Sequence, residues 1–298
     1  MVKAIGGKLA KLFSVILASV LVIGCAFMFT ACESRRPKIS MNISFNGETY
    51  TLNYKLYRDL YSQTVAHYIE LVDLDYFDGT VIHDYKSGDR MIGGGYTYDD
   101  LENGDVMDDL REIGYDSFTT NESGEVSLKN ITVWKDADRT VATNRLRGEF
   151  SDNGFIIKNG TGLSNAYGTL GTYSYVPESK EPHVYYKYSG SKDGTGHSEY
   201  YKNSTTSLFY IFTASSGSSE SRYCVFGELA DEDSKTALDD LLAAIGDYVD
   251  TLGDDAEFTQ TKEDVVIQDE FVDGGSYNVD FEVPQSKIVI ENVDVVKY

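Results

Sequence analysis

Short runs of alternating apolar and polar residues recur along most of this chain, while only two stretches repeat apolar residues at helical spacing. Thr51-Leu52-Asn53-Tyr54-Lys55-Leu56 places Leu52, Tyr54 and Leu56 on one face, the mark of a half-buried strand. Further strands are expected around 80–85 and 90–94, at Ile131-Thr132-Val133-Trp134, within 207–214, at Tyr223-Cys224-Val225-Phe226 and over 287–296. The first helix follows Ser62 as its cap and turns Val65, Tyr68, Ile69 and Val72 to one side. The second carries Leu238, Leu241, Leu242, Ile245, Val249 and Leu252, and Gly253 predicts its end. Many short strands with two helices imply a mainly β protein, either a closed barrel or a sandwich. No internal repeat is present.

The first 31 residues differ from the rest. They hold Lys3, Lys8 and Lys11, no acidic residue, and an apolar stretch from about Leu12 to Phe29. A basic start, an apolar run and small residues before a cysteine describe an export signal. Phe29-Thr30-Ala31-Cys32 has the form of a lipobox, with Cys32 lipidated as the first mature residue. Val22-Ile23-Gly24-Cys25 also fits; it would leave the apolar 26–31 on the mature chain, so Cys32 is preferred. An uncleaved membrane anchor is the other reading of this stretch. Either way the domain is expected outside the cytoplasm, tied to a membrane, with 32–39 as a short tether.

Removing those three lysines from 26 basic residues leaves 23 against 48 acidic ones. So acidic a body argues against nucleic acid, whose phosphates require Lys and Arg. Arg35, Arg36 and Lys38, directly after Cys32, could rest on anionic headgroups. Besides the two leader cysteines there is only Cys224, so an intramolecular disulfide or cysteine metal site is not expected.

Tyr76-Phe77-Asp78-Gly79-Thr80-Val81-Ile82-His83-Asp84, followed by Met91-Ile92-Gly93-Gly94-Gly95, resembles the cyclophilin family of peptidyl-prolyl isomerases. Four more segments match in order: Arg58-Asp59-Leu60 with Gln63 to Tyr68, Gly148-Glu149-Phe150-Ser151-Asp152-Asn153-Gly154, Ser207-Leu208-Phe209-Tyr210-Ile211, and Pro284 with Lys287 to Glu291. The likeness covers 43–298, interrupted by insertions near 100–145, 175–205 and 253–283. It implies a closed eight-stranded antiparallel β-barrel capped by two α-helices, spanning 40–298. It also implies proline-containing peptides or exported proteins as partners and no cofactor.

The resemblance marks a site as well as a fold. The family places an Arg after the His, and its guanidinium carries the catalysis; here that position is Asp84. With one residue inserted near Gly88, Met91 aligns with the family's pocket Met, Arg90 replaces a pocket Phe, and Gly93 replaces a Gln. Leu208 stands for another Gln and Ser218 for a Trp, while Phe209 and Tyr210 keep the aromatic pair. Tyr223 takes a position often held by His. Met91, Phe209, Tyr210 and Tyr223 are therefore the expected substrate-binding residues, Asp84 is the altered catalytic position, and Arg90 is a possible substitute for the missing Arg, or the partner of Asp84 in a surface ion pair.

Other signals carry less. Asp73, Asp75, Asp78 and Gly79 lack the spacing of a calcium loop. His67, His83, His183 and His197 show no metal-ligand spacing, so no metal is expected. The tyrosines at 173, 175, 185, 186, 188, 200 and 201 fit either a β-hairpin extension or a peptide- or glycan-binding surface.

Overall fold

The computed structural model describes residues 34–98, 106–129, 133–158, 160–175, 183–187, 194–253, 256–269, 271 and 274–298. The expected export signal with Cys25 and Cys32, and also Ile131, Thr132 and Tyr188, lie outside the described residues. Among the described residues no helix is long and apolar enough to cross a membrane.

The molecule is mainly β. Strands β1 (Lys38–Phe45) and β2 (Glu48–Leu56) form a hairpin through Asn46 and Gly47, both at positive φ. Then come α1 (Ser62–Asp73), β3 (Thr80–Val81), β4 (Asp84–Lys86), β5 (Arg90–Gly93), β6 (Tyr96–Tyr98) and β7 (Leu110–Glu112). After β8 (Val133–Trp134) and β9 (Leu170–Thr172) come β10 (His183–Lys187), β11 (Thr195–Glu199), β12 (Phe209–Phe212) and β13 (Val225–Leu229). The chain closes with α2 (Glu232–Leu252), β14 (Thr259–Gln268), β15 (Ser276–Pro284) and β16 (Ile288–Lys297).

Nine strands make one curled antiparallel sheet in the order β3-β16-β1-β2-β13-β9-β12-β5-β4. Its two outer strands, β3 and β4, are separated in sequence by Ile82 and His83 alone. The Ile82 amide donates to Ile288 O at 3.0 Å and the His83 amide to Ile92 O at 3.0 Å. The expected eight-stranded count thus appears as nine ladder segments in a curled sheet. Beside it lie a three-stranded sheet β11-β10-β8 and the two hairpins β6–β7 and β14–β15. The 175–205 stretch therefore contributes a β-hairpin, and the 253–283 stretch contributes most of β14–β15.

Period-2 alternation sorts the side chains by face. Ile39, Met41, Ile43, Leu52, Leu56, Met91, Leu170, Phe209, Phe226 and Ile288 come from strands spread around the sheet, yet form one cluster. Residues so distant along a sheet meet only on its concave side, so this is the inner face. Val65, Ile69 and Val72 of α1 and Leu238, Leu241 and Ile245 of α2 close over it. A second cluster, with Val81, Ile92, Tyr96, Tyr175, Tyr210, Phe212, Phe281 and Val283, lies on the outer face.

The helix starts follow different rules. Asp231 caps α2 by accepting the Ser234 amide at 2.9 Å, and Gly253 stands at its other end, as expected. In α1 Ser62 is the first helical residue and no side chain of the helix caps it. The carboxylate of Glu149 does so instead, taking the amides of Gln63 (3.3 Å) and Thr64 (2.8 Å) from 86 and 85 residues away in sequence. Those amides have no partner within the helix. Strands β1 and β16 run side by side within the sheet, and the Ser34 amide donates to Tyr298 O at 2.8 Å.

Candidate functional site

Strands β4, β5 and β12 carry the residues that the sequence singles out, and their register decides which of them meet. Asp84 pairs with Ile92, Lys86 with Arg90, and Ile92 with Tyr210. Directly opposed residues point to the same face, so Asp84, Arg90, Ile92 and Tyr210 share the outer one. Met91 pairs with Ile211 and faces inward, as does Phe209. A Cβ at Gly93 would meet the Phe209 ring at 3.1 Å and Ile82 at 3.0 Å, so this glycine makes room in the inner core. Arg90 and Ile92 thus share the outer face with Asp84, while Met91 and Gly93 lie on the inner one.

The outer face is paved with tyrosine. The Tyr210 ring lies across Gly171, where a Cβ would come within 2.3 Å of it. Its hydroxyl donates to Asn165 Oδ1 at 2.7 Å, and Asn165 in turn exchanges backbone hydrogen bonds with Ser218. Tyr173 stands between Tyr175 (ring centroids 5.0 Å apart) and Tyr223 (5.1 Å). Tyr223 also approaches Tyr210, at 6.1 Å. Burial raises the pKa of each of these hydroxyls, so they stay protonated and act as donors.

Arg90 does not pair with Asp84. Its guanidinium donates to both oxygens of Asp89, at 2.9 and 3.2 Å, and lies over the Tyr210 ring, 4.8 Å from the centroid. Burial opposes its charge, but the hydrogen bonds and charge of Asp89 more than offset that and hold its pKa above the usual arginine value. The flat aromatic surface is therefore already occupied by a cation.

Asp84 is fully buried. Its Oδ2 accepts the Tyr175 hydroxyl at 2.7 Å and lies 3.8 Å from Lys86 Nζ; its Oδ1 accepts the Glu282 amide at 3.2 Å. Burial raises its pKa, while Tyr175, Lys86 and the Glu282 amide pull it back. His83 Nε2 lies 3.4 Å from the same Tyr175 hydroxyl, and burial lowers its pKa to about 3, so its ring is neutral.

The cover is β15. Phe281, without exposed surface, packs on His83 (5.0 Å), Tyr96 (5.1 Å) and Tyr175 (5.0 Å). Val283 is buried beside it, and the Tyr277 hydroxyl donates to Tyr175 O. Beyond Tyr175 a second anchor holds the hairpin. Arg145, 3 % exposed, donates to both oxygens of Asp116 (2.5 and 3.0 Å) and from Nε to Tyr200 Oη (3.1 Å), with Nη2 3.4 Å from Asp269 Oδ1. The Tyr200 hydroxyl donates to Asp269 Oδ2. Neither this network nor the covering strand is legible in the sequence, because both join segments far apart in the chain.

The family model for cyclophilin type peptidyl-prolyl cis-trans isomerase/CLD proteins matches residues 40–269. The chain belongs to the cyclophilin family. Among solved structures it is similar to a Cryptosporidium parvum cyclophilin type isomerase, 13 % identical over 88 % of this chain and 99 % of that one, with a TM-score of 0.42. It is similar also to that protein crystallised in the presence of the dipeptide Ala-Pro, at 14 % identity, the same coverage and a TM-score of 0.43. No curated protein matches the chain.

Proposed function

We propose that the chain is an exported, lipid-anchored cyclophilin relative that holds proline-containing segments of exported polypeptides and turns them over weakly or not at all. The observation that carries this reading is Asp84, which is buried and accepts two hydrogen bonds where the family presents its catalytic Arg. Prolyl isomerisation crosses a barrier of roughly 18–20 kcal/mol because the imide nitrogen shares its lone pair with the carbonyl. A donor aimed at that nitrogen localises the pair and lowers the barrier. An ionised carboxylate offers only acceptors, and one already engaged by Tyr175 and Glu282 is not free to turn. Arg90 is held by Asp89 and Tyr210. The closed eight-stranded barrel belongs to the same reading, with β3 and β4 counted as two halves of a single strand.

The first test is isomerisation of a chromogenic prolyl peptide by wild type and Arg90→Ala, with a competent cyclophilin alongside. Wild type is expected to differ little from the uncatalysed rate, and Arg90→Ala to equal wild type. A wild-type rate close to that of the competent enzyme overturns the reading. A measurable rate that vanishes in Arg90→Ala would instead make Arg90 the replacement donor. For the anchor, metabolic labelling with a fatty-acid analogue is expected to be lost in Cys32→Ala; labelling lost only in Cys25→Ala would move the site.

A further inference from the structure

The hairpin β10–β11 carries two of the four histidines, and its register brings them together. His183 is paired with Glu199 and Tyr185 with His197, so these four side chains share one face of the ribbon. His183 and His197 are diagonal neighbours across the ladder, with ring centroids 5.5 Å apart. They lie on different strands, which is why no sequence spacing marks them. The opposite face is fixed: Val184 has no exposed surface and packs with Val133, Tyr200 and Phe271. Strand β10 is also central in its sheet, between β11 and β8. The two rings thus stand on a held platform, His197 exposed and His183 half-buried.

The spacing of the rings has a chemical meaning. An ion about 2.0–2.1 Å from one nitrogen of each of two imidazoles, at a tetrahedral angle, sets the ring centroids roughly 5 Å apart. His183 and His197 already stand near that separation, so sharing one ion asks for turning of the rings and little movement of the backbone. Glu199, on the same face, adds negative charge beside them; its Oε2 lies 3.5 Å from Lys202 Nζ, a surface pair of a kind that contributes little. No group of three or more His, Cys, Asp and Glu side chains among the described residues gathers to hold a metal ion. The site is accordingly a two-imidazole one, with water in the other coordination positions. Imidazole nitrogen suits zinc, copper and nickel, whereas Ca²⁺ and Mg²⁺ seek oxygen. A net charge of −22 on the whole chain draws cations toward its surface.

We infer that His183 and His197 together bind one divalent first-row transition-metal ion on the outer face of the β10–β11 hairpin. The site stands whether or not the chain isomerises proline. The test titrates the full chain with Zn²⁺, Ni²⁺ and Cu²⁺ in excess Mg²⁺, which occupies the many surface carboxylates. Calorimetry gives the affinity and amide chemical shifts give the place. Saturable binding is expected for all three ions, tightest for Cu²⁺, with the shifts centred on 183–185 and 197–199. The affinity should fall about tenfold or more in His183→Gln and in His197→Gln. His197→Gln changes an exposed side chain and should fold as wild type does; unchanged amide shifts elsewhere in the metal-free variant check this. Absence of saturable binding, an affinity unchanged in either variant, or displacement of Zn²⁺ by Mg²⁺ overturns the site.

Discussion

At the scale of single residues, Asp84 shows how a buried carboxylate enlists its surroundings. A carboxylate under Phe281 needs donors, and Tyr175 and the Glu282 amide supply them. Asp84→Ala strands both and is expected to cost about 3 kcal/mol, whereas Asp84→Asn keeps an acceptor and costs about 1 kcal/mol. Urea denaturation of the two variants checks the order; equal losses would mean that the hydrogen bonds contribute little. The sequence made Asp84 conspicuous because a family motif surrounds it. It did not reveal that Met91 faces inward, since a one-residue slip turns a strand's side chains to the other face and only the ladder fixes the register.

At the scale of elements, the two helices and most sheet strands were legible because each buries one face and therefore carries a period. The hairpin β14–β15 falls largely in the 253–283 insertion, whose sequence carries no hint of where it docks. Its alternation of Tyr277, Val279, Phe281 and Val283 marks a buried face but cannot name the partner. Phe281→Ala is expected to destabilise by about 3–5 kcal/mol. Hydrogen exchange should then speed up in 259–284 ahead of β1, β2 and β16; uniform acceleration would show that the hairpin is part of the global folding unit. The cap of α1 is a similar long-range debt. Glu149→Ala should cost about 1–2 kcal/mol and Glu149→Gln less, with the difference seen as fraying of the first turn of α1.

At the scale of the whole molecule, burial of ionisable groups ties stability to pH. Burial lowers the pKa of His67 to about 4 and that of His83 to about 3, each outweighing a nearby carbonyl. Both are neutral in the fold, so their contribution is whole above the unfolded value near 6.5. It is lost as pH falls, because the unfolded chain takes up the protons first. The stability advantage of wild type over His67→Gln should shrink by about 1.4 kcal/mol per pH unit between pH 6.5 and 4. Asp84 and Glu149, raised by burial, act in the opposite sense: their contribution is present below about pH 4 and lost as pH rises through their folded values. A flat difference for His67→Gln would show that its ring is solvated. The meeting of β1 with β16, where Ser34 donates to Tyr298, also has a use in protein engineering. Joining those ends by a short linker and cutting the chain at the Gly124 turn would make a circular permutant with every ladder intact, its new termini carried far from the old ones in sequence.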